Sequence, residues 1–151
     1  MAEDLGFIRH LFIANRWIEF AALALDENQR LNLLSSQFDL QDLHYRTYFA
    51  ATDRRIVTVG GQPVGRLYLL RGEPFWTLID LSLLPDVVGQ GIGSRLIDLM
   101  LAEAEAARRP VSLHCSVTNP AFEIYKAKGF HEVGQEGADW VMEWRPTGRV
   151  S

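Results

Sequence analysis

The sequence predicts a single α/β domain, with helices and strands layered around one core. Two observations predict it. The hydrophobic period changes from helical near the start to alternating in the middle, and then switches back and forth. A strand in the second half runs into a glycine-rich turn that opens a helix, at Gly89-Gln90-Gly91-Ile92-Gly93.

The size and balance agree. A chain of 151 residues suits one core. With 48% hydrophobic and 23% charged residues, the composition is that of a globular chain and not a disordered one. The formal net charge of −4 disfavours nucleic acid as a main partner. No apolar run is long enough for a transmembrane helix, and Met1–Arg9 lacks the pattern of a signal peptide. The single cysteine, Cys115, cannot form an internal disulfide and sits in an apolar run, as a buried structural thiol would. A cytoplasmic protein is expected, with residues 1–145 as its domain and 146–151 as a frayed tail.

The elements follow in order. Apolar residues at Leu5, Ile8, Leu11, Phe12, Trp17, Ile18 and Leu23 predict a helix from about Glu3 to Leu25. A second helix is expected over about Gln29–Phe49. Arg55–Val59 and Val64–Leu70 flank Gly60-Gly61-Gln62-Pro63 and read as a β-hairpin. Phe75–Leu84 is a third strand, ended by Pro85. A helix over about Ser94–Arg108 stops before Pro110. Val111–Val117 is a strand, and Asn119-Pro120 starts a short helix that Gly129 ends. His131–Gln135 and Asp139–Trp144 close the list.

The glycine loop carries the chemistry. Glycines let backbone N–H groups approach an anion, and a helix N-terminus adds unpaired donors and a partial positive charge. Such a loop suits phosphate or pyrophosphate. It lacks the Gly-Lys-Ser/Thr end of a P-loop and the Gly-x-Gly-x-x-Gly spacing of a dinucleotide fold.

Two segments resemble the GNAT superfamily of N-acetyltransferases. Val88-Gly89-Gln90-Gly91-Ile92-Gly93 is similar to its Arg/Gln-x-x-Gly-x-Gly/Ala cofactor loop, with Val88 in place of the usual Arg or Gln. Asn119-Pro120-Ala121-Phe122-Glu123-Ile124-Tyr125-Lys126-Ala127-Lys128-Gly129-Phe130 resembles its Asn-x-x-Ala/Phe-x-x-Tyr-x-x-x-Gly-Phe segment. The resemblance covers about Arg55–Trp144 well and the two N-terminal helices loosely. It implies a central mixed, mostly antiparallel sheet of six to seven strands, with splayed parallel middle strands and about four flanking helices. Family members usually begin with a short strand, which has no counterpart here, so six strands are expected, or a distorted first one.

The resemblance also implies acetyl transfer from acetyl-CoA straight to an amine, with no metal. Backbone amides of Val88, Gly89, Gln90, Gly91, Gly93 and Ser94 would hold the pyrophosphate. The N–H of Leu83 would polarise the thioester carbonyl. Asn119 would bond the pantetheine or cap its helix. Tyr125 matches the family's general acid, which protonates the leaving thiolate.

The attacking amine must lose a proton, and a base of near-neutral pKa suits this. The candidates are His114, Asp80, Glu19, His44 and ordered water. His114 comes first, because in a bacterial branch that acetylates protein N-termini a Glu occupies the matching strand position. It is expected to face the gap between its strand and Leu81–Leu84. His10 and His131 read as surface residues. Trp17, Glu19, Phe38, Asp39, Gln41, His44 and Tyr45 are the candidates for acceptor specificity. The acceptor is expected to be a small-molecule amine. Protein N-terminal or lysine acetylation is the alternative, and a non-catalytic acyl-CoA sensor is an alternative of another class. No nucleic acid or membrane partner is expected. Dimers are common in the family, so a homodimer is among the expected states.

Overall fold

The structure is a computed structural model, and it describes residues 2–17, 20 and 24–147. Its elements are α1 (Ala2–Arg16), α2 (Glu27–Tyr48), β1 (Asp53–Val59), β2 (Gln62–Arg71), β3 (Trp76–Leu83), α3 (Ile92–Ala107), β4 (Val111–Ser116), α4 (Ala121–Ala127), β5 (His131–Glu136) and β6 (Asp139–Trp144). The six strands form one sheet in the order β1-β2-β3-β4-β6-β5. β3 and β4 run parallel, and β6 is antiparallel to both of its neighbours. This is the single α/β domain expected, with six strands and four helices among the described residues. None of those helices is long and apolar enough to cross a membrane.

The contacts within the chain group into two compact units. The first comprises Met1–Leu67 and Leu81–Val88. Its core joins Ile8 and Phe12 of α1 to Leu34 and Phe38 of α2, with Phe7, Ile13, Trp17, Phe20 and Ile56 packed around them. The Phe12 and Phe38 rings meet edge to face at 5.7 Å. Truncating either to Ala removes a buried aromatic and costs about 3–5 kcal/mol. α2 starts on a capping box. Asp26 Oδ1 accepts from the Gln29 N–H at 2.7 Å, and Gln29 Oε1 accepts from the Asp26 N–H at 2.9 Å. α1 ends at Arg16, short of the Leu25 expected. There the Arg16 guanidinium lies over the Phe12 ring and donates to the Phe12 carbonyl, one of the acceptors a helix end leaves unpaired.

The second unit comprises Tyr68–Asp80 and Gly89–Ser151. Alternation along β4 buries Val111, Leu113 and Cys115 on one face. Trp144, Met142 and Trp140 of β6 stand opposite them in register, and so share that face. α3 buries Ile97, Met100, Leu101 and Ala104, the i, i+3, i+4, i+7 stripe of an amphipathic helix. Ion pairs tie its exposed side: Arg71 to Glu103 at 2.6 Å and Lys128 to Asp98 at 2.8 Å. Thr147 N–H donates to Glu105 Oε1 at 2.8 Å, so the tail expected to fray after Pro146 is held at its first residue. Residues 148–151 of that tail lie outside the described residues.

Candidate active site

In the second unit, the glycine loop has the backbone an anion site needs. Gly89 and Gly91 have φ of 90° and 81°, the left-handed region that side chains rarely adopt. A Cβ at either position would meet no atom within 4 Å, so the loop backbone is open to an incoming group. The left-handed turn at Gly91 starts α3 at Ile92, two residues before the Ser94 expected. Gly91 therefore caps α3, and it offers no side-chain cap. The Arg95 N–H makes the first helical bond, to the Gly91 carbonyl at 3.0 Å. The amides of Ile92, Gly93 and Ser94 precede that bond. They point out of the helix end with its partial positive charge. Backbone donors, no side chain in the way and a favourable dipole fit a pyrophosphate.

Tyr125 stands on α4 and is buried. Its ring meets Phe130 edge to face at 5.6 Å, and its carbonyl accepts from the Phe130 N–H at 3.0 Å, which fixes the end of α4. Burial raises the proton affinity of the phenol well above its ordinary value. Cys115 and the Asp80 carboxylate are near enough to add to the effect. Tyr125 is thus a neutral O–H donor throughout the physiological range.

The strand register explains this grouping. The pairing of β3 with β4 covers Trp76–Leu78 and Val111–Leu113. Asp80 lies two residues past Leu78, and Cys115 two past Leu113. Both continue the buried face of their strands. Cys115 is itself buried, and its thiol is pushed up by desolvation and by Asp139.

His114 alternates to the other face of β4. It is exposed, and its Nε2 lies 3.3 Å from Glu136 Oε1. The structure therefore brings Tyr125, Cys115 and Asp80 together and turns His114 away from them. Asn119 Oδ1 accepts from the Ala121 N–H at 2.9 Å, an Asx turn just before α4, whose N-cap is Pro120. Phe122 stacks with the half-buried Trp140 at 6.1 Å. His131 is exposed, and so is His10 in the first unit.

The first unit holds the remaining candidates. Leu83 is half-buried at the end of β3. The next amide, Leu84 N–H, donates to the Val64 carbonyl at 2.8 Å. Successive amides of a strand point to opposite edges, so the Leu83 N–H is aimed away from β2. Val88 is 62% exposed, outside any packed core. Phe38 is fully buried between α1 and α2, so it holds the helices together and cannot reach an acceptor. Asp39 pairs with Arg9 at 2.9 Å, Gln41 accepts from Arg66 at 2.8 Å, and the Trp17 ring lies under Arg30. His44 joins Tyr45, Tyr48 and Phe49 in an aromatic cluster at the end of α2. Glu19 lies outside the described residues.

The sequence pattern alone does not single out Gly65, which sits in the middle of β2 and is buried. A lone glycine inside a strand pattern signals a close backbone approach, so a signal for it exists. Nor does the pattern place Cys115 beside Tyr125, because contacts across a helix and a strand have no local signature. Among the described residues, no group of three or more His, Cys, Asp or Glu is placed to hold a metal ion.

The sheet is mixed, and α3, opened by the glycine loop, connects its parallel strands β3 and β4. Residues 44–132 match the family profile described as the acetyltransferase (GNAT) domain. The chain belongs to this family of acetyltransferases and is an acyltransferase. No curated protein matches it in sequence. Solved structures share its fold at low identity. A histone acetyltransferase HPA2 and related acetyltransferase from Corynebacterium glutamicum is 18% identical, with a TM-score of 0.72 over 100% of this chain and 96% of that one. The PaiA N-acetyltransferase of Thermoplasma acidophilum, solved with coenzyme A, is 17% identical, with a TM-score of 0.69 over 95% and 93%. The ribosomal-protein alanine N-acetyltransferase of Escherichia coli is 17% identical, with a TM-score of 0.66 over 99% and 92%.

Proposed function

We propose that the protein moves the acetyl group of acetyl-CoA directly to the primary amine of a small molecule. The observation that carries this reading is the loop from Gly89 to Gly93. It turns through two left-handed glycines into an α3 N-terminus with no side-chain cap. The PaiA N-acetyltransferase, a structure of the same fold, was solved with coenzyme A, which supports the choice of donor.

The residues take the following parts. Amides from Val88 to Ser94 hold the pyrophosphate, and Asn119 borders the pantetheine. The Leu83 N–H hydrogen-bonds the thioester carbonyl oxygen, where negative charge develops as the amine attacks. The amine nitrogen bonds to the carbonyl carbon, the C–S bond breaks, and the electron pair leaves on sulfur. Tyr125 meets that thiolate with its O–H. A phenol of raised proton affinity stabilises the thiolate first as a hydrogen-bond donor, and full proton transfer follows only if the ligand changes its surroundings. Asp80, on the same face as Tyr125, or ordered water takes the proton the amine loses, since His114 is turned to the other face of β4.

A second reading is acetylation of a protein N-terminus. It is supported by the shared fold of the ribosomal-protein alanine N-acetyltransferase of Escherichia coli. A cytoplasmic location belongs to the proposal, since a lone thiol suits a reducing compartment. Dimerisation is to be measured by light scattering. The test of function is an amine library, with peptide N-termini included, followed by release of free CoA thiol. Turnover with a small amine and none with peptides is expected. Turnover with peptides alone would establish the second reading, and thiol release that does not depend on any amine would refute both.

A further inference from the structure

Gly65 stands where β2 and β3 come unusually close. A Cβ built on it would collide with the Ser82 carbonyl oxygen. It would also lie 2.6 Å from Leu83 Cδ2 and 3.2 Å from Leu83 Cα. Separations under 3.0 Å are essentially never found for real Cβ atoms, so any side chain here forces β3 to move. The Ser82 carbonyl and the Leu83 Cα are backbone, which cannot swing aside as a side-chain tip can. The glycine is needed for space, since its φ lies outside the left-handed region.

The neighbouring hydrogen bond says what that closeness sets. With Leu84 N–H on the Val64 carbonyl, Leu83 lies opposite Gly65, at a position where the two strands exchange no bond. The Leu83 N–H points outward from there, and no ladder bond to β2 fixes its direction. Its aim depends on how deeply the Ser82–Leu83 backbone settles against β2, and the missing side chain of Gly65 determines that depth.

We propose that Gly65 is a positioning residue for acetyl transfer, one that sets the direction of the Leu83 N–H toward the thioester carbonyl by letting β3 close onto β2. This rests on the reading of Leu83 as the carbonyl donor. Gly65 touches no reacting atom.

The test is Gly65→Ala, with Gly134→Ala as its control. Gly134 is also a strand glycine, in β5, but a Cβ there meets nothing within 4 Å. A displacement near 1 Å at a reacting group costs about 100-fold in rate. Gly65→Ala is expected to bind CoA as the wild type does and to lose about that factor in kcat. The carbonyl resonance of bound [1-¹³C]acetyl-CoA should move back toward that of the free thioester, which a packing defect elsewhere would not cause. Gly134→Ala should retain wild-type kcat and resonance. Wild-type kcat and an unshifted resonance in Gly65→Ala would overturn the proposal. If that variant fails to fold, Gly65→Ala with Leu83→Ala removes the Cδ2 collision and keeps the collision with the Ser82 carbonyl oxygen. It is compared with Leu83→Ala alone, and equal kcat values would again overturn it. Replacing Leu83 by its α-hydroxy analogue swaps the N–H for an ester oxygen. Unchanged kcat there removes Leu83 as the donor, whereas a drop there beside a normal Gly65→Ala removes only Gly65.

Discussion

The Asp80 carboxylate raises the proton affinity of the Tyr125 phenol, adding to the larger effect of burial. The two residues come from β3 and α4, and they share the face that Cys115 continues on β4. A negative charge held beside a buried O–H makes the phenolate costly. Tyr125 is therefore an O–H donor at every working pH, as its proposed part toward the leaving thiolate requires.

Tyr125→Phe is expected to keep the fold and the acetyl-CoA affinity while lowering kcat. A positioned acid contributes about 10²–10⁴ in rate. Steady-state kinetics with single-turnover controls provide the check. An unchanged chemical step would take Tyr125 out of the mechanism.

The same phenol gives a stability signature. Its proton affinity is higher in the folded than in the unfolded chain, so above a phenol's ordinary value of about 10 the folded state holds more protons. Stability then falls as pH rises, by at most about 1.4 kcal/mol per pH unit for one group. Below that pH both states hold the proton and the contribution no longer changes with pH. Denaturant melts from pH 8 upward should show Tyr125→Phe losing part of this alkaline fall. Parallel profiles for wild type and variant would contradict the burial argument.

Acetyl-CoA should raise the melting temperature. A ligand present at about 100 times its Kd adds about 2.7 kcal/mol. A thermal scan that shows no shift with millimolar CoA or acetyl-CoA would count against the whole assignment of donor.

The loop itself is tested by Gly91→Val and Val88→Arg. A valine at φ 81° is strained and puts its branch where the amides face an anion, so CoA binding should be lost. The exposed position 88 tolerates Arg, which adds a positive charge beside the loop and should leave binding intact or tighter. Calorimetry decides, with circular dichroism to show that both variants fold. Normal CoA binding by folded Gly91→Val would place the pyrophosphate elsewhere.

His114 lies on the face opposite Tyr125, so His114→Ala should keep the acidic limb of the pH profile of kcat/KM and the acetyl-CoA affinity, whereas Asp80→Asn should lower kcat/KM. The substrate amine can titrate in the same way, so two amines of different basicity are compared. A limb lost in His114→Ala with both amines would make His114 the base after all. Unchanged kcat/KM in Asp80→Asn would leave ordered water as the acceptor of the proton.

The sequence by itself determined whatever depends on neighbours along the chain. The order of helices and strands came from the hydrophobic period. The donor loop was legible because glycine spacing and a following helix are local features. Strand alternation alone put His114 on the face opposite Cys115. The start of α3 lies two residues ahead of Ser94, because nothing local says that Gly91 turns left-handed to cap it. Tertiary structure decided which face of the sheet matters. The face carrying Cys115 is the one Tyr125 occupies, and Asp80 lies on it two residues past the Leu78–Leu113 pair. It also decided that Phe38 is core and that Gly65 leaves room for the Ser82–Leu83 backbone. The reason is physical. Burial, the field of a carboxylate and the close approach of two strands are set by residues distant in the chain, and no local pattern records which of them will meet.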